Sequence, residues 1–130
     1  MRNHMPRCII FANGTLPDIA AARGVMFVTA EYNRSIPGVL KNAIDHASRP
    51  YGDNAWKDKP AGIVGVSPGK MSTALAQQHL RNILAAVLVP VLHGPEAFLQ
   101  WNDALVTDGG EIGEDSRKFP NGWMEKFLAW

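Results

Sequence analysis

The sequence predicts an α/β fold with a parallel sheet, because short apolar runs alternate with stretches of helical periodicity. Gly24–Thr29 and Ala61–Ser67 are mostly apolar runs of the kind buried on both faces of such a sheet. A polar turn and then apolar residues at helical spacing follow each run. The chain has 130 residues, 46% of them hydrophobic, and we expect one domain over residues 1–130.

The composition gives no indication of a nucleic-acid partner or of a membrane. The formal net charge is +1, and the longest apolar run, 83–92, is too short to span a bilayer and contains Pro90. Cys8 is the single cysteine, which excludes an internal disulfide framework and a cysteine metal site. The four histidines lack the spacing of metal ligands. We therefore expect a cytoplasmic protein without a structural metal.

The first strand-to-helix connection is the most informative stretch. After Gly24–Thr29 come the polar residues 31–35, and then five apolar residues at helical spacing: Val39, Leu40, Ala43, Ile44 and Ala47. We expect Ser35 to cap the helix and Pro37 to lie in its first turn. In open α/β sheets, ligands bind at the carboxyl ends of strands, so this turn is a candidate site.

The second connection repeats the pattern. Ala61–Ser67 is followed by a turn over 67–72 and by a helix that we expect to begin near Thr73. The residues whose spacing fits this helix are Leu75, Gln78, Leu80, Ile83, Leu84 and Val87. We expect a third strand within 88–92, with Pro90 at an edge or a strand start.

Shorter signals complete the prediction. The N-terminal part predicts a strand over 8–11, a turn at Asn13-Gly14 and a short helix over 17–22. Residues 49–54 have loop composition, and Asp108-Gly109-Gly110 indicates a hairpin-type turn. Because Pro120-Asn121-Gly122 interrupts the last helical stretch, we expect the final helix to start after Gly122.

The run from Glu31 through Asp45 resembles the signature of the flavodoxin-like NADPH-dependent FMN reductases, which include quinone, chromate and azo-dye reductases. The chain departs from that signature at Ala30, usually proline, and at His46, usually tryptophan, and the resemblance continues through Gln100. It implies a flavodoxin-like three-layer α/β/α fold with strand order 2-1-3-4-5. The predicted strands would then be the third, fourth and fifth of that order.

The resemblance also implies FMN and NADPH as cofactors and a site at the two turns. Glu31, Tyr32 and Asn33 would line the flavin ring, and Arg34 and Ser35 would contact flavin, nucleotide or a neighbouring subunit. The other side of the flavin would be lined by three residues of the second turn: Ser67, Gly69 and Ser72, the last standing where glycine is common. The alternatives are an ordinary loop tyrosine, a solvated arginine, a helix cap and a plain strand-to-helix connection.

The implied function is hydride transfer from NADPH through FMN to a small-molecule acceptor such as a flavin or a quinone. The cofactor performs the redox step, so no catalytic side chain is expected. The implied assembly is a homo-oligomer, a dimer or a tetramer. The polar helix face formed by Gln77, Gln78, His79 and Arg81 would serve subunit contacts or be solvated, and His46 would be half-exposed.

One family element has no match in the sequence. The family's first strand leads into a loop close to G-S-x-R-x-x-S-x-N that holds the FMN phosphate at a helix start, and nothing in the 130 residues resembles it. We expect an N-terminally truncated member that lacks this strand and its phosphate-loop helix. The 25–29 strand would keep a partly unpaired edge, which favours self-association. The alternative function is a truncated, non-catalytic paralogue that has lost FMN and acts as an interaction partner or remains as a remnant.

Overall fold

The computed structural model describes residues 8–10 and 16–130, with side chains from residue 17 onward. Its sheet has four parallel strands in the order β1-β2-β3-β4: β1 is Cys8–Ile10, β2 is Gly24–Thr29, β3 is Ala61–Ser67 and β4 is Ala97–Gln100. The helices are α1 at Leu16–Ala21, α2 at Gly38–Ala47, α3 at Ala74–Ala86 and α4 at Lys118–Ala129, with a 3₁₀ turn at Glu114–Ser116. These elements confirm the predicted α/β fold with a parallel sheet.

The sheet register brings the ends of three strands to one edge. β2 pairs with β3 from Val25↔Ala61 to Thr29↔Gly65, and β3 pairs with β4 as far as Ser67↔Gln100. Because all three strands run in the same direction, the loops that follow them meet at the same edge of the sheet. We call residues 30–37, 68–73 and 101–104 at that edge the carboxyl-edge loops.

β1 lies on the other side of β2 and covers part of its edge, as predicted. It pairs with Gly24, Val25 and Met26, and the described strand ends there at Ile10. The predicted last strand residue, Phe11, and the predicted Asn13-Gly14 turn lie outside the described residues. Helix α1 ends one residue before the predicted end.

Helices cover both faces of the sheet, which gives the predicted three layers. Along β2, Val25 and Phe27 face a core shared with α1, α2 and α3, whereas Met26 faces α4. The larger core contains the buried apolar residues of three helices: Ile19, Ile44, Ala47, Ala76, Leu80 and Leu84. On the other face, Trp123 and Phe127 stack with ring centroids 5.6 Å apart over Gly62, where a Cβ would overlap the indole ring.

Trp56 anchors the loop between α2 and β3 in the larger core. Its side chain is fully buried and lies 5.6 Å from the ring of Phe27 between centroids. The indole Nε1–H donates to the carbonyl oxygen of Ile44 at 2.9 Å, within the last turns of α2. This pairing satisfies the indole N–H, as a buried tryptophan requires.

The predicted third strand at 88–92 is wrong. Only Val91 in that stretch makes a β-bridge, to Ala61, and the strand beside β3 is Ala97–Gln100. Pro90 has no N–H to donate, and Leu88 has a positive φ of 62°, so the backbone there cannot continue a ladder. The chain touches the start of β3, leaves it and returns at Val64↔Ala97.

The predicted start of the final helix is also wrong, since α4 begins at Lys118. Pro120 falls in its first turn, where a backbone N–H has no helical acceptor and proline is tolerated. The following residue, Asn121, already donates its N–H to Arg117 at 3.0 Å. The Asp108–Gly110 turn is confirmed, with Gly110 at φ 79° between the bridged residues Val106 and Ile112.

The buried faces of α2 and α3 differ in detail from the periodicity. Val39 is 81% exposed, although it was expected on the apolar face of α2. On α3, Gln78 is exposed, whereas Gln77 and Ala76 are fully buried. Gln77 therefore does not belong to the predicted polar face. None of the helices in the described part of the chain is long and apolar enough to cross a membrane.

Candidate functional site

The first carboxyl-edge loop contains a tight two-residue turn. The N–H of Tyr32 donates to the carbonyl oxygen of Ser35 at 2.9 Å, and the N–H of Ser35 donates to that of Tyr32 at 3.0 Å. The two central residues, Asn33 and Arg34, have positive φ angles of 50° and 66°. This is the conformation of a type I′ turn, which asparagine tolerates better than arginine. The turn leaves Tyr32 62% exposed at the edge of the sheet.

Glu31, just before the turn, is bonded to helix α3. Its Oε2 accepts a hydrogen bond of 3.0 Å from the N–H of Ala76, the third residue of that helix. The first N–H groups of a helix have no partner within it, and a carboxylate there also complements the helix dipole. The carboxylate of Glu31 thus has a structural partner inside the chain.

Ser35, at the end of the turn, is not the cap of α2, so that prediction is wrong. The N-cap position belongs to Pro37, which makes no side-chain cap hydrogen bond and precedes the first helical turn instead of lying in it. The Oγ of Ser35 lies 3.0 Å from Nδ1 of His79 on α3. Pro37 follows the polar turn and sets where α2 begins. The hydroxyl of Ser35 contacts α3 instead of capping α2.

The second carboxyl-edge loop is a compact turn that closes on Ser72. Gly69 donates its N–H to Oγ of Ser67 at 3.4 Å and accepts the N–H of Ser72 at 2.8 Å. Ser72 is 6% exposed, and its φ of 47° is the left-handed conformation that glycine adopts most easily. That conformation explains physically why glycine would suit this position. The Ser72 hydroxyl is used internally, since it donates to the carbonyl oxygen of Leu99.

Two glycines of this region serve different purposes. A Cβ on Gly65 would overlap the side chain of Thr73 and come within 2.9 Å of the carbonyl oxygen of Thr29, so close packing requires that glycine. A Cβ on Gly69 would meet only Oγ of Ser67, at 3.8 Å. The described part of the chain therefore leaves open space beside Gly69, where a ligand could approach the backbone closely.

A third loop, after β4, joins this edge and was missed by the sequence reasoning. Trp101 donates its N–H to the carbonyl oxygen of Ser67 at 3.0 Å, and its side chain is 44% exposed. Met71, in the second loop, is 60% exposed. The sequence signal for Trp101 is an aromatic residue at the end of the mainly apolar stretch 97–100. Because the third strand is predicted at 88–92, this stretch is not interpreted as a strand that leads to the site.

The edge offers backbone donors and acceptors together with two exposed aromatic rings and an exposed methionine. Tyr32, Met71 and Trp101 supply apolar surface in the loops after three adjacent strands. In residues 8–10 and 16–130, no group of three or more histidine, cysteine, aspartate or glutamate side chains could hold a metal ion. This arrangement suits a planar, uncharged ring with hydrogen-bonding atoms at its rim.

Two cavities lie away from these turns. One of about 740 Å³ lies between the carboxyl-terminal parts of α2 and α3, with Lys41, Arg49 and Tyr51 among its lining residues. Another of about 260 Å³ lies between the sheet and α4, with an almost wholly apolar lining that includes Val64 and Trp123. Neither is lined by a residue of the 31–35 turn, which lies on the open edge of the sheet.

Known reductases are similar to this chain in sequence. The chain is 45% identical over 113 residues to a 2-hydroxy-1,4-benzoquinone reductase of a Burkholderia species. The aligned region covers 86% of this chain and 62% of that protein. It is 42% identical over 113 residues to a quinone reductase of Pseudomonas putida, covering 87% of this chain and 61% of that one. The chain thus spans about three fifths of the length of these curated relatives.

A solved structure shows the same fold. FerB, a flavoenzyme NAD(P)H:(acceptor) oxidoreductase from Paracoccus denitrificans, matches with a TM-score of 0.83 and 43% identity over 88% of this chain and 64% of that one. The strand order β2-β3-β4 agrees with the flavodoxin-like order that the resemblance implied. The model of the NADPH-dependent FMN reductase family matches residues 12–102. The chain therefore belongs to the NADPH-dependent FMN reductase family.

Proposed function

We propose that the carboxyl-edge loops bind FMN and that the chain is part of an NAD(P)H-dependent oxidoreductase that reduces quinones or similar small-molecule acceptors. The observation that carries the proposal is the Tyr32–Ser35 turn, which presents an exposed tyrosine next to two residues of positive φ, at the same edge of the sheet as the loop that contains Gly69. The names of the relatives, quinone reductases and a flavoenzyme, support the same class of reaction.

The proposed binding residues divide into two groups. Tyr32, Asn33 and Arg34 are exposed and would face the flavin on one side, with Ser67 and Gly69 on the other. The remaining predicted site residues, Glu31, Ser35 and Ser72, have hydrogen-bond partners within the chain and would shape the two turns.

The chemistry divides between the cofactor and the chain. When bound, FMN would supply the hydride acceptor and donor, with NADPH as reductant. The chain's own residues would hold the ring, orient it against the sheet edge and leave one face open to NADPH and to the acceptor.

Two measurements on the purified chain test this proposal. Flavin fluorescence during titration with protein should be quenched saturably, and NADPH oxidation with a benzoquinone acceptor should depend on added FMN. Saturable binding without turnover would favour the non-catalytic alternative for this chain. Absence of any saturable flavin binding would contradict the proposal.

We also propose that the protein self-associates and works in the cytoplasm. Among the residues that the structure describes, β1 pairs with the first three residues of β2, and the later residue Val28 is 51% exposed. Exposed apolar side chains and a partly unpaired strand edge favour pairing between copies. A single mass of one chain across a concentration series in light scattering would contradict self-association.

The cytoplasmic proposal follows from the single cysteine, Cys8, and is tested by fractionating cells that express the protein.

A further inference from the structure

The Tyr32–Ser35 turn is attached to helix α3 at two points. Glu31, directly before the turn, accepts from the N–H of Ala76, and Ser35, its last residue, lies against Nδ1 of His79. Both contacts measure 3.0 Å. Ala76 contributes its backbone N–H in the first turn of α3, and His79 contributes its side chain one turn further on. The turn is therefore joined to the N-terminal half of α3 by a contact at each end.

The conformation of the turn makes such an attachment necessary. Two consecutive non-glycine residues, Asn33 and Arg34, hold positive φ angles. Residues in this region of φ/ψ space persist only where the surrounding structure fixes them. Two backbone hydrogen bonds between Tyr32 and Ser35 close the turn. The side chains of Glu31 and Ser35 then join its two ends to α3.

Helix α3 is itself bonded to β4 and to the segment that precedes β4. Nε2 of the fully buried Gln77 donates to the carbonyl oxygen of Ala97, the first residue of β4, at 2.8 Å. Arg81 on the same helix donates to the carbonyl oxygen of Leu92 at 2.9 Å. The position of the turn is thus set relative to β4 through α3, and not only through the strand that it follows.

We propose that Glu31 and His79 are positioning residues that hold the Tyr32–Ser35 turn in the geometry that receives the ring of a flavin. This inference rests on the proposed function, and it gives Glu31 a role without contact to the flavin. Glu31 acts as a hydrogen-bond acceptor at the start of α3, and His79 acts through the hydroxyl of Ser35.

The first test measures hydrogen exchange by NMR in the ligand-free protein. Glu31→Ala should speed exchange of the N–H groups of Tyr32, Ser35 and Ala76 by about fivefold to tenfold, the effect of losing one helix-cap hydrogen bond. His79→Ala, which removes the contact to the hydroxyl of Ser35, should speed exchange at Tyr32 and Ser35. Glu31→Gln keeps an acceptor oxygen and should restore most of the protection. Glu125→Ala, an exposed glutamate on α4, is the control and should leave all three unchanged.

The same variants are then titrated with riboflavin. Glu31→Ala and His79→Ala should each weaken binding, whereas Glu31→Gln and the exposed-histidine control His46→Ala should bind within about twofold of the parent. In the double variant Ser35→Ala/His79→Ala, the loss should match that of either single variant, because both remove the same contact.

The outcomes separate this inference from the proposed function. If the parent protein binds no riboflavin, the proposed function fails, while the exchange rates still decide whether Glu31 and His79 hold the turn. Unchanged exchange at Tyr32 and Ser35 in both Glu31→Ala and His79→Ala would overturn the inference. So would a Glu31→Gln variant that behaves like Glu31→Ala, since the acceptor oxygen would then not be what matters.

Discussion

The hydroxyl of Ser72 donates to the carbonyl oxygen of Leu99 at 2.5 Å and so joins the loop after β3 to the end of β4. Ser72 makes this bond from a left-handed backbone with φ 47°. Together with the bond from Trp101 N–H to Ser67, it makes two of the carboxyl-edge loops one connected unit. The unit forms one side of the proposed flavin site.

This bond predicts a difference between two substitutions of Ser72. Ser72→Ala loses the bond, leaves the partly buried carbonyl of Leu99 without this donor and keeps the left-handed backbone of residue 72. We expect it to lower the free energy of unfolding by ~1–3 kcal/mol. Ser72→Gly loses the same bond but relieves the left-handed conformation, so it should cost less. Chemical denaturation of both variants measures the difference, and an alanine variant as stable as the glycine variant would contradict it.

Replacement by alanine should affect stability differently at Gly65 and at Gly69. Gly65→Ala places a methyl group against Thr73 and the carbonyl of Thr29, and we expect a loss of ~1–3 kcal/mol of stability from overpacking. Gly69→Ala meets open space and should change stability by less than ~0.5 kcal/mol. It should nevertheless weaken flavin binding, because the methyl group occupies the proposed approach to the backbone. Denaturation and riboflavin titration of both variants check this; a destabilised Gly69→Ala or unweakened binding would count against it.

Substitution of Trp56 should lower stability without changing the flavin site. Trp56→Phe removes the indole N–H that pairs the carbonyl of Ile44 and reduces the volume next to Phe27. Because the residue is fully buried, we expect ~1–3 kcal/mol less stability. Riboflavin affinity measured well below the transition should stay the same. Phe119→Leu, at a 44% exposed position on α4, is the control and should cost much less.

The phosphate group of FMN should add little to the affinity of this chain for the flavin. Because the 130 residues contain no match to the family's phosphate loop, FMN should bind less than tenfold more tightly than riboflavin. Charge-assisted hydrogen bonds to a phosphate contribute about 1.5–3 kcal/mol each, so a built phosphate site would produce a far larger preference. Paired titrations give the ratio. A preference of about tenfold or more would show a phosphate site within residues 1–130.

The parts of the fold predicted correctly have strong local signals. The predicted bounds of β3 are those observed, because a six-residue apolar run between a proline and a Ser-Pro-Gly turn has few alternatives. The third strand was misplaced because two apolar stretches, 88–92 and 97–100, compete for the edge of β3. What decides between them is tertiary: the register Val64↔Ala97 and the positive φ of Leu88.

The location of the candidate site could be predicted, but its internal bonding could not. The motif placed the turn at the end of β2, and parallel strand order placed the second turn beside it. The bonds from Glu31 to Ala76 and from Ser35 to His79 join residues more than forty positions apart, so no local pattern reveals them. Local spacing instead favoured Ser35 as a helix cap, which the position of Pro37 overrides.

The central claim, that the Tyr32–Ser35 turn receives the flavin ring, is tested most directly by riboflavin titrations of three variants beside the parent protein. Tyr32→Ala should weaken binding by about threefold to tenfold, because it removes a stacking aromatic ring. Tyr32→Phe, which keeps the ring, should bind within about twofold of the parent. Lys41→Ala removes a half-exposed side chain that pairs with Asp45 across one turn of α2, and it should not change the affinity. Equal affinities of Tyr32→Ala and Lys41→Ala would contradict the claim.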